Sequence, residues 1–165
     1  MTSFPPCPDG STVGFVVVGG RPAGHSAAAC YREHVGGSRV VIISADGDAP
    51  YQRPPLSKDF LRGESEESAL PMESLDFYGE NRIELWLAES VVELDLTSMA
   101  LTTAANRELS FDSCVLATGN QPATLPVPGG DHPDVLQLRF LQDARMSHSE
   151  PGALRVDHRI RVHRL

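Results

Sequence analysis

The sequence of 165 residues is poor in lysine, in cysteine and in long apolar segments. Of its 14 basic residues, 13 are arginine and a single one, Lys58, is lysine. The three cysteines have no C-x-x-C spacing, which argues against a disulfide framework and against a zinc site. No apolar run approaches the ~20 residues of a membrane helix, and the N-terminal residues have neither the basic nor the apolar region of a signal peptide. These absences predict a cytoplasmic protein without a membrane partner.

Positive charge is also scarce. The chain has 22 acidic and 14 basic residues, a net charge of −8 and an isoelectric point near 5.1. A nucleic-acid partner is therefore disfavoured, because phosphate backbones are bound by clustered lysine and arginine. The hydrophobic content of 41% is that of a globular chain, and the length corresponds to about one domain.

The first half of the sequence has the pattern of a βαβ unit. An apolar, β-branched run at Val13–Val18 predicts a buried strand, and a second such run lies at Val40–Ile43. Between them, two glycines are followed by Pro22, which suits the first turn of a helix, and the helix is predicted over Ala23–Val35. A strand, a tight turn, a helix and a second strand predict parallel pairing of the two strands.

The later elements predict an α/β protein. We expect a Rossmann-like parallel sheet with flanking helices and a small antiparallel β-hairpin layer. A short helix capped by Ser57 is expected at Lys58–Leu61. The other elements, in chain order, are a helix at Leu75–Asn81, strands at Ile83–Leu87 and Val91–Leu96, a hairpin of Met99–Thr103 and Arg107–Phe111, and a buried strand at Cys114–Ala117.

The turn after the first strand approximates the dinucleotide fingerprint G-x-G-x-x-G. In that motif, the first glycine makes the turn, the second lets the backbone approach a pyrophosphate, and the third lets helix and strand pack closely. The amides at the helix start then hold the anion. The motif here reads Gly19-Gly20-Arg21-Pro22-Ala23-Gly24.

Arg21 stands where the fingerprint has its second glycine. Three interpretations stay open. The side chain obstructs the approach of a pyrophosphate and lowers its affinity, or the guanidinium pairs with a phosphate from the side. In the third, the segment is an ordinary turn between strand and helix that binds nothing.

Three further segments are candidates for a binding site. Ala45 and Asp46 follow the second strand, about where a dinucleotide site has its ribose-binding acid; the alternative for Asp46 is a solvated loop residue. The proline-rich segment Pro50–Lys58 delivers Arg53 and the single lysine. The last segment is an apolar strand that ends in the small residues Ala117-Thr118-Gly119.

The segments VVVGGRPAG (16–24), PYQRPPLSK (50–58) and VLATG (115–119), with the linker from LPVPG (125–129) to LRFLQDA (138–144), resemble one family. It is the FAD-dependent NAD(P)H reductases of the ferredoxin/rubredoxin type, in the pyridine nucleotide-disulfide oxidoreductase-like superfamily. The resemblance covers about residues 13–145. It implies a flavoprotein oxidoreductase that carries electrons from NAD(P)H to a ferredoxin-type iron–sulfur acceptor.

The resemblance also implies site residues. The glycine motif 19–24 would bind the FAD pyrophosphate, Ala45 and Asp46 the adenosine ribose, and the backbone of Val91 the adenine. Lys58 is the candidate catalytic residue beside the isoalloxazine. The remaining cofactor-binding candidates are Arg53, Ala117, Thr118, Gly119 and Arg139.

The predicted organisation is a flexible tail at 1–11, the first segment of an FAD-binding domain at 12–129, a linker toward an NAD(P)H domain at 130–146 and an atypical tail at 147–165. The family has a second glycine motif, for NAD(P)H, just after the position of Arg145, and this sequence has none there. The expectation is therefore an incomplete fold from a truncated or frame-shifted product, with a genuine short variant as the alternative. Such a chain would turn over NAD(P)H only if a downstream domain were supplied.

Two other functions stay open besides the reductase. One is a non-catalytic FAD- or ADP-binding module. The other is an interaction domain that binds no nucleotide because Arg21 blocks the site. An incomplete sheet leaves an exposed edge, so self-association is also expected.

Overall fold

The computed structural model describes residues 12–35, 37–123, 126–130, 132 and 137–149. The predicted tail at 1–11 and most of the predicted tail at 147–165 lie outside these residues. The strands are β1 (Val13–Val18), β2 (Val40–Ile43), β3 (Ile83–Trp86), β4 (Val91–Asp95), β5 (Ala100–Thr103) and β6 (Glu108–Leu116). The helices are α1 (Pro22–Val35), α2 (Leu75–Glu80) and α3 (Leu141–Ser149), with short 3-10 helices at Pro54–Ser57 and Glu67–Ala69.

The six strands form one sheet in the order β3-β2-β1-β6-β5-β4. The strands β3, β2, β1 and the second half of β6 are parallel, whereas β4, β5 and the first half of β6 are antiparallel. The α/β fold, the parallel βαβ unit and the antiparallel hairpin are thereby confirmed.

Different elements cover the two faces of the parallel strands. On one face, the side chains of Phe15, Val17 and Ile42 pack with Ala28 of α1 and Tyr78 of α2. On the other face, alternate residues of β1 and β2 pack with Leu101, Leu109 and Phe111 of the antiparallel strands. Every residue of β1 and β2 is buried, as expected for central parallel strands that are covered on both sides.

Two local predictions are wrong. The expected pair of strands at 107–111 and 114–117 is one strand, β6, because no glycine or proline interrupts it. The expected helix at Lys58–Leu61 does not form, and the chain instead makes a 3-10 helix one turn earlier. Pro54 and Pro55 occupy its first two positions, where a missing amide hydrogen costs nothing, and Ser57 is its last residue rather than a cap.

Part of the segment predicted as a linker forms a helix that packs on the proline-rich loop. Leu141 and Ala144 of α3 are buried against Tyr51, Leu56 and Phe60. Within the described residues, no helix is both long enough and apolar enough to cross a membrane.

His25 is buried at the start of α1, and its Nδ1 lies 2.9 Å from the hydroxyl of Tyr78. Burial lowers the pKa of His25 below 6.5, and the charge of Glu73 offsets this only in part. The unfolded chain therefore binds a proton more readily than the folded one. We expect the free energy of unfolding to have its full value well above pH 6.5 and to fall as the pH drops through that value, by at most about 1.4 kcal/mol per pH unit.

Urea denaturation between pH 7.5 and 5.5 measures this loss. His25→Gln should flatten the dependence on pH, because glutamine does not titrate. His34→Gln, a change at the exposed end of the same helix, is the matched control. Equal slopes in the wild type and His25→Gln would show that His25 does not carry the effect.

Candidate functional site

The candidate site lies at the carboxyl ends of β1 and β6. The strands β2 and β3 lie on one side of β1, and β6 lies on the other, so the strand order reverses between β1 and β6. In open parallel sheets, ligands bind in the crevice at such a reversal. The glycine motif follows β1, and Ala117, Thr118 and Gly119 follow β6, so two of the segments singled out in the sequence meet at this crevice.

The glycines of the motif permit three close approaches of the backbone. Gly19 has φ of +124°, and a Cβ there would lie 2.2 Å from the carbonyl oxygen of Ala117. A Cβ on Gly24 would lie 1.8 Å from the carbonyl oxygen of Gly19, and one on Gly20 would lie 2.6 Å from the side chain of Ser44. The first and last glycines thus fulfil the packing roles that the sequence pattern predicts, and the start of α1 is held tightly against the end of β1.

Arg21 lies at the mouth of the crevice, just before α1. Its guanidinium carbon is 4.8 Å from the ring centroid of Phe140. Its Nη1 is buried and has no hydrogen-bond partner among the described residues. A Cβ on Gly119 would lie 3.4 Å from Nη1 of Arg21 and 3.4 Å from Nη2 of Arg139, so the two guanidinium groups flank the same point.

Arg139 and Arg53 complete a cluster of three arginines, which we call the arginine cluster (Arg21, Arg53 and Arg139). Arg53 donates to the carbonyl oxygen of Arg139 at 3.2 Å, and Arg139 donates to Asn120 Oδ1 at 2.6 Å and to the carbonyl oxygen of Asn120. Nε of Arg139 is buried without a partner among the described residues. Desolvation and the positive charges of Arg21 and Arg53 lower the pKa of Arg139. Within the described part of the chain, none of the three forms an ion pair, so the crevice suits an anion.

Asp46 connects the end of β2 to the proline-rich loop. Its Oδ2 accepts a hydrogen bond of 2.8 Å from the hydroxyl of Tyr51, and its Oδ1 accepts one of 3.3 Å from the amide of Asp48. The Tyr51 oxygen in turn accepts from the amide of Leu141 at 3.1 Å. Burial and the bond to Asp46 raise the pKa of Tyr51 to about 12, so its hydroxyl remains a donor at neutral pH. Each carboxylate oxygen of Asp46 keeps a second lone pair for a further donor.

The other predicted site residues lie outside this cluster. Lys58 is exposed directly after the first 3-10 helix, and its ammonium contacts no partner in the described residues. A pocket of about 260 Å³ at the preceding 3-10 helix is lined by Arg53, Ser57, Arg139 and three apolar neighbours, and Lys58 is not among its lining residues. Val91 begins β4, half-buried, and pairs with Thr103. Ala45 and Ala23 are exposed, and Pro22 begins α1.

Sequence reasoning missed three residues at the site. The proline-rich motif includes Tyr51, but the sequence does not predict the two hydrogen bonds of its hydroxyl. Asn120 and Phe140, which hold the guanidinium groups of Arg139 and Arg21, carry no signal in the sequence.

A parallel sheet with a glycine turn at the point of strand reversal defines an α/β protein of the dinucleotide-binding class. The chain belongs to the pyridine nucleotide-disulphide oxidoreductase family, whose model matches residues 14–160. It is 34% identical over 130 residues to the rubredoxin-NAD(+) reductase of Pseudomonas putida, covering 79% of this chain and 34% of that protein.

Two solved structures are also similar. The putidaredoxin reductase in its covalent complex with putidaredoxin matches with a TM-score of 0.74 at 27% identity, over 82% of this chain and 34% of that one. The ferredoxin reductase for the CYP199A2 system of Rhodopseudomonas palustris matches with a TM-score of 0.73 at 32% identity, over 80% and 33%. The chain thus spans about a third of the length of these relatives.

The contact between Asp46 and Tyr51 gives a testable prediction. Tyr51→Phe leaves Oδ2 of Asp46 and the buried amide of Leu141 each without the partner that the Tyr51 hydroxyl provides, while Oδ1 of Asp46 keeps the amide of Asp48. We expect the free energy of unfolding in urea to fall by about 1–3 kcal/mol. The matched control is Tyr31→Phe, because the Tyr31 ring stacks on Phe15 at 4.2 Å and its hydroxyl bonds to no described residue. A similar loss in both variants would contradict the role given to the Tyr51 hydroxyl.

Proposed function

We propose that this chain binds FAD and forms the flavin-binding part of an NAD(P)H-dependent reductase that passes electrons to a ferredoxin-type iron–sulfur protein. The observation that carries this proposal is the arginine cluster at the glycine crevice, which has buried donors without partners where the fold class binds a pyrophosphate.

The residues present fit the cofactor. The glycines at 19 and 24 bring the start of α1 to the crevice, so its free amides and helix dipole are available to the pyrophosphate. Asp46 has lone pairs left for ribose hydroxyls, and the backbone of Val91 is the proposed contact for the adenine. The flavin would extend toward the pocket between Arg53 and Arg139, with Thr118 and Gly119 on its path.

FAD, when bound, supplies the step from a two-electron hydride donor to a one-electron acceptor. The contribution of this chain is position and charge. Lys58 is the proposed residue beside the isoalloxazine, where an ammonium favours negative charge on the reduced ring. Arg53 and Arg139 bring positive charge to the same end of the crevice.

The donor and the acceptor are proposed from the relatives. One is named a rubredoxin-NAD(+) reductase, and another was solved in a complex with putidaredoxin. The first name supports a nicotinamide nucleotide as donor, and both names support a small electron-carrier protein as acceptor. A second candidate function is an FAD- or ADP-binding module without turnover. It is favoured by the glycine fingerprint at residues 16–24, which is a nucleotide-binding feature and by itself provides no reacting group.

FAD titration followed by quenching of flavin fluorescence tests the proposal. We expect saturable binding to the wild type and a loss of affinity of about tenfold to a hundredfold in Arg53→Met, because a charge-assisted contact is removed. Arg62→Met is the matched control, since Arg62 is exposed and paired with Asp59 and Glu64. Absence of FAD binding by folded wild-type protein would refute the proposed function.

An assay of NADH and NADPH oxidation tests whether this chain turns over by itself, the one result that the non-catalytic module does not allow. With FAD and an iron–sulfur acceptor present, we expect no oxidation above the rate of free FAD by the isolated chain. Turnover by this chain alone would exclude the non-catalytic module.

A further inference from the structure

We propose that Arg21 is itself a ligand of the cofactor pyrophosphate, and that its guanidinium takes over the anion contact which the backbone makes at a glycine in this position. The inference rests on the proposed FAD site and assigns a role in it to the residue by which this chain departs from the fingerprint. Of the three interpretations that the sequence leaves open, it selects participation over obstruction and over an ordinary turn that binds nothing.

The first argument is the direction of the side chain. The guanidinium of Arg21 lies over the ring of Phe140, with 4.8 Å between the guanidinium carbon and the ring centroid. A guanidinium over an aromatic face is held by a cation–π contact, so part of its conformational entropy is lost before any ligand binds.

The second argument is the pair of donors without partners. Nη1 of Arg21 and Nε of Arg139 are both buried, and neither has a hydrogen-bond acceptor among the described residues. A buried donor that makes no hydrogen bond is costly, and here two such donors belong to like charges. An anion between the two guanidinium groups would satisfy both donors and offset their repulsion.

The third argument is the location of these donors. Nη1 of Arg21 and Nη2 of Arg139 each lie 3.4 Å from the position that a Cβ on Gly119 would take, just after β6, and the bend at Gly19 lies just after β1. Both guanidinium groups therefore line the crevice where the strand order reverses. A diphosphate presents several negatively charged oxygen atoms to the two guanidinium groups. A neutral nucleoside or riboflavin has no oxygen atom of comparable negative charge.

The experiment compares the wild type with Arg21→Gly, which restores the fingerprint, and with Arg21→Lys. The probes are FAD and inorganic pyrophosphate as its competitor. We expect Arg21→Gly to bind FAD about tenfold to a hundredfold more weakly and Arg21→Lys to be intermediate, because lysine keeps the charge without the planar fork. Inorganic pyrophosphate should displace FAD from the wild type at lower concentration than from Arg21→Gly.

The matched control is Arg82→Gly. Arg82 is exposed and has φ of +51°, so glycine is tolerated there and one positive charge is removed away from the crevice. This variant should bind FAD as the wild type does. Circular dichroism of each variant establishes that it is folded.

The outcomes separate this inference from the proposed function. If Arg21→Gly binds FAD as tightly as the wild type or more tightly, the role of Arg21 is overturned and the FAD site stays in place. The same conclusion follows if Arg21→Gly binds FAD and the wild type does not. Failure of FAD to bind to both folded wild type and Arg21→Gly would refute the site and the inference together. An equal loss in Arg82→Gly would assign the effect to net charge and overturn the inference.

Discussion

The close approach of α1 to the end of β1 is the constraint on which the candidate site depends. The carbonyl oxygen of Gly19 occupies the space that a Cβ on Gly24 would need, and Gly19 itself leaves no room for a side chain beside Ala117. Because three chain segments meet within these few ångströms, the amides at the start of α1, the end of β1 and the end of β6 have fixed relative positions. A rigid arrangement of donors is what anion binding requires, since no energy is then spent on ordering them.

Positive charge at the crevice adds a second constraint. The chain as a whole carries −8, yet it places Arg21, Arg53 and Arg139 around one end of the sheet. Structural packing alone gives no reason to bury donors of Arg21 and Arg139 without acceptors. Such an arrangement is unfavourable in the free protein and becomes favourable when an anion binds. It is an electrostatic form of preorganisation, because the repulsion between the guanidinium groups is already present before binding.

The sequence predicts the elements that local patterns determine. The apolar β-branched runs of β1 and β2, bounded by glycine and by Pro22, identify the βαβ unit, and the fold follows from it. What it does not predict depends on contacts across long separations. Arg53 bonds to Arg139 across 86 residues, and Tyr51 bonds to Leu141 across 90, and no spacing rule reports such pairs. The 3-10 helix at Pro54–Ser57 differs from the expectation for a local reason: the sequence predicts a helix that starts after Ser57, whereas Pro54 and Pro55 themselves occupy the first turn.

The strand β6 links the candidate site to the stability of the fold. Its first residues pair with β5 and its last residues with β1, and within the described residues Ser113–Leu116 pair on one side only. The end of β6 therefore resists fraying mainly through β1 and through the contacts of Gly19 and Arg139 with the segment that follows it. A ligand held between the two strand ends favours the closed arrangement over the frayed one. At a concentration of 100 times its dissociation constant it would stabilise the folded chain by about 2.7 kcal/mol, a large share of the stability of a domain this size. Cofactor binding and folding are for this reason expected to be coupled in this chain, because the same strand end serves both.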